Sequence, residues 1–293
     1  MKTLRVLVPV DGSPLSEAIL PYVAGLGCSA ATLVQVIEPP SLFGSAPDDQ
    51  AREAEARAGL DRLATGLARA GVADVKTIVR RGKPADEIAA VAGEVAPGLI
   101  AMTTHGRAGF DAIVLGTVAA RLIRTISFPV LAVQAARPPG PDAPPIPPFT
   151  SIVVPHDGSD LASRAIATLG LLGLAGRARL TLLGVVDTFE APTAPPPPGS
   201  GRDLAREYTE LRKEGLRREL ERAAARARDM GFDAAVEIDA GQPAARICDR
   251  AAALPASSIA MTTHGRSGLT RWALGSVTEQ VLRATSVPLL VCR

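Results

Sequence analysis

Nearly every segment of this 293-residue chain occurs twice, in the same order. LRVLVPVDGSPLSEAIL from Leu4 returns as TSIVVPHDGSDLASRAI from Thr150, and ATLVQVIEPP from Ala31 as LTLLGVVDTFEAP from Leu180. VRRGKPADEIAAVA from Val79 returns as IDAGQPAARICDRA from Ile238. MTTHGRAGFDAIVLGTVAARLIR from Met102 returns as MTTHGRSGLTRWALGSVTEQVLR from Met261, and FPVLAVQ as VPLLVCR. The period, about 150 residues, is far longer than the ~20–50 residues of solenoid repeats and is the size of a domain. The chain is therefore read as two copies of one domain. The first spans 1–135, a Pro-rich linker spans 136–149, and the second copy spans 150–293. So many prolines cannot pair in a sheet, and the linker is expected to be extended. A second Pro-rich stretch, APTAPPPPGSGRD, is an insertion in the second copy and is expected to be a loop.

Each copy alternates strand and helix. RVLVPV is a buried strand, with Ser13 and Pro14 reading as an N-cap and a first helical residue. ATLVQVI follows, then a long charged helix that Gly71, or Gly231 in the second copy, ends as a left-handed cap. Further strands begin at Asp74 and Ala234, and helices open at Pro84 and Pro243. The fourth strands contain LIAMTTHG and SIAMTTHG, and the quoted loop, a helix and a last strand complete each copy. Five strands alternating with four helices predict a doubly wound parallel α/β sheet in each copy. Aromatic residues are 3 % of the chain, so the cores must be aliphatic, which suits parallel strands covered on both faces. Such sheets take ligands outside the carboxyl ends of their strands.

Charge and composition exclude several classes. The net charge is +2 with both signs interspersed, so there is no basic face for nucleic acid. No apolar run approaches the ~20 residues of a membrane span. MKTLRVLVPVDGS leads directly into a strand with no secretory h-region, so a cytoplasmic protein is expected. Cys28, Cys248 and Cys292 form no paired framework and read as reduced thiols.

The loop after the fourth strand carries the chemistry. It reads Thr103-Thr104-His105-Gly106, nine residues, then Gly116-Thr117-Val118. The second copy reads Thr262-Thr263-His264-Gly265, nine residues, then Gly275-Ser276-Val277. Glycine permits close backbone approach to an anion and accepts positive φ. A helix opening after Gly116 or Gly275 aims free N–H groups and the positive end of its dipole at that anion. Thr117 and Ser276 add hydroxyl donors. These residue types suit a phosphate chain, although the spacing is neither a Walker A loop nor GxGxxG, and a lone turn glycine is more often structural.

With its spacing of x2 and x9, and with five segments agreeing in order twice, the chain resembles the universal stress protein family in its tandem two-domain form. The family motif is G-x2-G-x9-G-[ST]. The resemblance covers all but the linker and the insertion. It implies a flavodoxin-like, Rossmann-like strand order of 3-2-1-4-5. It also implies pairing through the last strands, either as an intramolecular pseudo-twofold dimer of the two copies or as a homodimer. It implies ATP, with or without Mg²⁺, as the ligand. By position, Asp11 and Asp157 would contact the ribose or the adenine region, Val36 and Val185 would flank adenine, and Met102 and Met261 would line that pocket. Gly106, Gly116, Thr117 and Val118 would hold phosphates in the first copy, and Gly265, Gly275, Ser276 and Val277 in the second. The departure is Thr103, and Thr262 in the second copy, where the motif has its first glycine. Thr is bulkier than glycine and does not take positive φ comfortably: if the site needs glycine there for close phosphate approach, both sites are impaired, and if the backbone is ordinary β, Thr fits and its hydroxyl can donate.

Other candidates have plainer readings beside them. His105 and His264 lack a ligand cluster and read as loop-orienting or phosphate-donating groups. Arg107 and Arg266 are either phosphate partners or solvated cations. Asp11 and Asp157 precede Gly-Ser and also suit an Asx turn. Three functions follow: an ATP-binding regulatory stress protein with at most slow hydrolysis, an interaction scaffold whose Thr103 and Thr262 disable the phosphate site, or an ATP-using enzyme. The first is the leading expectation. No phosphate-clamping lysine or Mg²⁺ carboxylate pair is evident that would favour the third.

Overall fold

The structure is a computed structural model that describes residues 4–39, 49–104, 115–134, 144–187, 201–254, 258–262 and 274–293, with side chains from 206 onward in the stretch beginning at 201. Its contacts divide the chain into two units. One is Met1–Pro148 with Pro288–Val291, and the other is Phe149–Val287 with Cys292–Arg293.

In the first unit, β1 (Arg5–Val10) leads through a 3-10 turn (Ser16–Ile19) into α1 (Leu20–Gly25). Then follow β2 (Ala30–Ile37), α2 (Asp49–Arg69), β3 (Asp74–Arg81), α3 (Pro84–Val95), β4 (Leu99–Thr103), α4 (Thr117–Thr125) and β5 (Val130–Val133). The strand order is β3-β2-β1-β4-β5, and these strands pair in parallel. That is the order the resemblance implies. β4 and β5 are buried along their whole length, which is why both read as uninterrupted aliphatic runs. The core between sheet and helices is built from Leu7, Ile19, Leu33, Leu60, Ile100 and Leu122, each fully buried.

The second unit repeats this plan with β6 (Ser151–Pro155), α5 (Asp160–Leu171), β7 (Arg179–Val186), α6 (Gly201–Asp229) and β8 (Asp233–Ala240), followed by α7 (Pro243–Ala253), β9 (Ser258–Thr262) and α8 (Ser276–Ala284). Its strands run β9-β6-β7-β8. The fifth strand of this copy, β10 (Leu289–Cys292), also forms, but Leu289–Val291 group with the first unit. They pair antiparallel to β5, with Leu289 opposite Ala132, Leu290 opposite Leu131 and Val291 opposite Val130.

Local chemistry explains most boundaries. Gly71 and Gly231 end α2 and α6 at φ +100° and +91°. Val72 N donates to Leu67 O, and Phe232 N to Ala227 O, closing both helices in the same way. Pro84 and Pro243 open α3 and α7. Two expectations need correction. Ser13 does not cap an α-helix, because the chain makes a 3-10 turn first; its Oγ instead accepts from Ser16 N at 3.2 Å. Its counterpart Ser159 does cap a helix, as the same reading expects, accepting from Ala162 N at 3.1 Å. The Pro-rich insertion ends earlier than read: once the prolines stop, Gly201–Asp203 already belong to α6. Its preceding residues lie outside those described. Of the expected linker, 135–143 also lie outside them. Ile146 N donates to Pro21 O at 2.9 Å, and a Cβ on Gly25 would lie 2.0 Å from Ile146 O, so that glycine is what lets the linker's end lie on α1.

Candidate functional site

β1 delivers Asp11 to the carboxyl edge of the first unit's sheet, and Gly12 turns the chain there at φ +79°. Asp11 Oδ1 accepts from Ser13 N at 2.9 Å, the Asx turn expected of such an Asp. Ser16 Oγ donates to Ser13 O at 2.8 Å and accepts from Asp11 N at 3.3 Å, so the turn is tied at both ends. The Asp11 backbone is thereby fixed at the sheet edge.

β4 brings Met102 and Thr103 to the same edge, and Thr103 pairs with Val133 as an ordinary strand residue. Among the described non-glycine residues, positive φ occurs only at Ala96. Thr103 and Thr262 therefore sit in backbone that a β-branched residue adopts without strain. Thr104 N continues the ladder to Val133 O at 2.9 Å, and Gly116 N returns to Thr104 O at 2.7 Å. A Cβ on Gly116 would lie 2.8 Å from that oxygen. The glycine is needed for this close approach and not for unusual torsion, since its φ is −57°. α4 opens at the next residue, and its first internal hydrogen bond runs from Ala120 N to Gly116 O. By helix geometry the N–H groups of Thr117, Val118 and Ala119 have no acceptor within the helix.

These pieces face one cleft of about 1000 Å³. Asp11, Val36, Met102, Thr103, Gly116, Thr117 and Val118 all line it. The other wall is α2, with Arg52, Ala56, Gly59 and Arg62, and Gln35 stands on the strand beside Val36. At its edge Arg62 forks onto Glu17, with Nη2 2.6 Å from Oε1 and Nη1 3.4 Å from Oε2. The Glu17 hydrogen bond and charge push the Arg62 pKa up. The sequence reading missed this wall. Ala56 and Gly59 are small residues at helical spacing, but α2 also carries Ala51, Ala54, Ala58, Ala64, Gly66 and Ala68, so no signal in the sequence sets this face apart.

In the second unit, Asp157 Oδ1 accepts from Ser159 N at 3.0 Å and from Ser159 Oγ at 2.6 Å. Val185 is half-buried on β7, and Met261 and Thr262 are buried at the end of β9. Thr278 Oγ1 donates to Thr262 O at 2.9 Å. Gly275, at φ −60°, precedes α8, which opens at Ser276 and Val277. His156 has no special role in the sequence reading, yet it is 4 % exposed. Its Nδ1 accepts from Gly158 N at 3.0 Å, which places the proton of the neutral ring on Nε2, 3.0 Å from Ser163 Oγ. Burial pushes its pKa down, against the pull of Asp157 and with that of Arg226, while Glu219 and Asp160 also pull it up. His105, Gly106, His264 and Gly265 lie outside the described residues, as do Arg107 and Arg266. Among the described residues no cluster of three or more His, Cys, Asp or Glu is arranged to hold a metal. No described helix is long and apolar enough to cross a membrane.

A parallel sheet of order 3-2-1-4-5, with a cleft between the carboxyl ends of its first and fourth strands, defines a doubly wound domain of the kind that holds ligands at its topological switch point. Residues 2–134 and 148–293 each match the profile of the Universal stress protein family, so the chain belongs to that family. It is 31 % identical over 145 residues to Universal stress protein MJ0531 of Methanocaldococcus jannaschii, covering 50 % of this chain and 82 % of the relative. It is 31 % identical over 150 residues to Universal stress protein YxiE of Bacillus subtilis, covering 50 % of this chain and 99 % of the relative. Among solved structures, a universal stress protein from Archaeoglobus fulgidus matches over 100 % of this chain and 99 % of its own, with a TM-score of 0.68 and 22 % identity, a likeness of fold.

Proposed function

We propose that the first unit's cleft binds ATP and that the protein works as a nucleotide-responsive regulator with at most slow hydrolysis. The observation that carries this reading is the convergence of Asp11, Val36, Met102, Gly116, Thr117 and Val118 on one cavity. Its volume, about 1000 Å³, is at the upper end of the ~300–1,000 Å³ typical of small-molecule sites. The α4 N-terminus suits the triphosphate, with Thr117 adding a hydroxyl. Val36 and Met102 offer apolar faces to a base, and Asp11 stands where a ribose would lie between them. Bound ATP would neutralise part of its own charge with Mg²⁺ from solution. Extended backbone at Thr103 supports this reading, because the torsion there is one that threonine adopts without strain.

The test is calorimetric titration of nucleotide-stripped protein with ATP and Mg²⁺, alongside Gly116→Val. Because a Cβ there meets Thr104 O at 2.8 Å, the variant is expected to shift α4 and weaken binding by at least about a hundredfold. Absence of binding to the unaltered chain at millimolar ATP would leave the scaffold reading.

A further inference from the structure

Both copies leave their first strand through the same Asx turn, with one difference of chemistry at its base. In the first copy Ser13 N donates to Asp11 Oδ1 at 2.9 Å across Gly12, at φ +79°. In the second, Ser159 N donates to Asp157 Oδ1 at 3.0 Å across Gly158, at φ +87°. The residue ahead of the Asp is Val10 in the first copy and His156 in the second. Valine offers the turn no polar atom. His156 Nδ1 accepts from Gly158 N, the amide at the middle of the turn, at 3.0 Å.

The histidine is tied to its surroundings on every side. Its own N–H donates to Leu183 O of β7 at 2.9 Å, and the residue is buried. Nε2 lies 3.0 Å from Ser163 Oγ, one turn into α5. Ser159 Oγ joins turn to helix, donating to Asp157 Oδ1 at 2.6 Å and accepting from Ala162 N at 3.1 Å. Ring, Asx turn and helix cap thus form one connected set of hydrogen bonds, and that set needs a lone pair on Nδ1. A proton there sets two N–H groups against each other at 3.0 Å, and attraction becomes repulsion. A ring this buried cannot carry Nδ1 to water without displacing its neighbours, so the glycine turn is the part that yields. Asp157 in the turn, Asp160 at the start of α5 and Glu219 on α6 favour the charged ring. Arg226 on α6, 3.8 Å from Asp160, opposes it, and burial outweighs the three carboxylates.

We infer that uptake of one proton by His156 opens the β6–α5 turn, so that the second copy carries an acid-responsive loop at the carboxyl edge of its sheet and the first copy, with Val10, does not. The device is independent of nucleotide binding, since no ligand takes part in it. The open turn returns the ring to its ordinary pKa near 6.5, and the closed turn holds it lower. Closure is therefore most favourable above about pH 6.5 and weakens as the pH falls toward the lower value, by up to about tenfold per pH unit.

The experiment is amide hydrogen exchange on the full-length chain at pH 7 and pH 5, read as protection factors so that the intrinsic pH dependence of exchange is removed. The first copy's turn is the internal control. Protection of the Gly158 and Ser159 amides is expected to fall by at least about threefold, with Ser13 and the mid-strand amide of Val154 unchanged. In His156→Val, which installs the first copy's residue, the fall at Ser159 is expected to vanish. His156→Gln is run beside it and is expected to do the same, so that a folding failure of the valine variant, checked by circular dichroism, does not decide the outcome. An equal fall at Ser13 or Val154, or a fall at Ser159 that persists in either folded variant, would overturn the inference.

Discussion

Thr103 and Thr262 stand where the family motif has its first glycine, and the backbone explains how: both end strands in extended conformation. The glycine spacing was legible in the sequence, but its cause at Gly116 was not. Pattern alone suggests either close approach to an anion or unusual torsion, whereas the structure shows the chain's own Thr104 carbonyl pressed against the missing side chain. His156 was less legible still: its partners Gly158 and Ser163 are near in sequence, but its burial comes from packing that no local spacing encodes. It makes a pH prediction. Burial lowers its folded pKa below the ordinary 6.5. The unfolded chain then binds the proton first as pH falls, so stability is full above about 6.5 and is lost as pH drops through the lower folded value. Urea midpoints reported by the second unit are expected to fall between pH 7 and pH 5, and His156→Gln is expected to flatten that slope. An unchanged slope in the variant would assign the acid sensitivity elsewhere.

The elements themselves were largely readable. Proline starts, glycine stops and aliphatic strands emerged because each is a local preference that the fold does not contradict. The long charged helices were recognised too, but not the face that lines the cleft: Ala56 suits an apolar stripe, and the helix alone does not tell that it borders a cavity. The 3-10 turn at Ser16–Ile19 was missed because serine followed by proline marks a helix entry without fixing where regular bonding begins. The linker shows the same limit. Its prolines predict extension, yet its end is bonded to α1 through Ile146. Gly25→Ala is expected to cost about 1–3 kcal/mol, since a Cβ against backbone cannot be relieved by a rotamer change. Chemical denaturation measures this, and a change under about 0.5 kcal/mol would mean that the linker contact is dispensable.

At the scale of the molecule, duplication was the clearest feature of the sequence, and each half matches the same family. The grouping of Leu289–Val291 with the first unit was not legible from composition. FPVLAVQ and VPLLVCR are both short aliphatic strands, and neither specifies its antiparallel neighbour. Leu290 lies opposite Leu131 in the middle of this pairing, so Leu290→Pro, which puts a ring into the interior of a sheet, is expected to speed hydrogen exchange in Val130–Val133 by at least about tenfold. Unchanged protection there would show that β4 alone secures β5.

That pairing also sets a timetable. A ribosome makes Val130–Val133 and must then translate the whole second copy before Leu289–Val291 exist. At about 5–20 residues per second, that interval is on the order of ten to thirty seconds. Throughout it, an apolar strand edge awaits its partner, the condition in which nascent chains recruit chaperones or join one another. The first half of this protein is synthesised early but completed late.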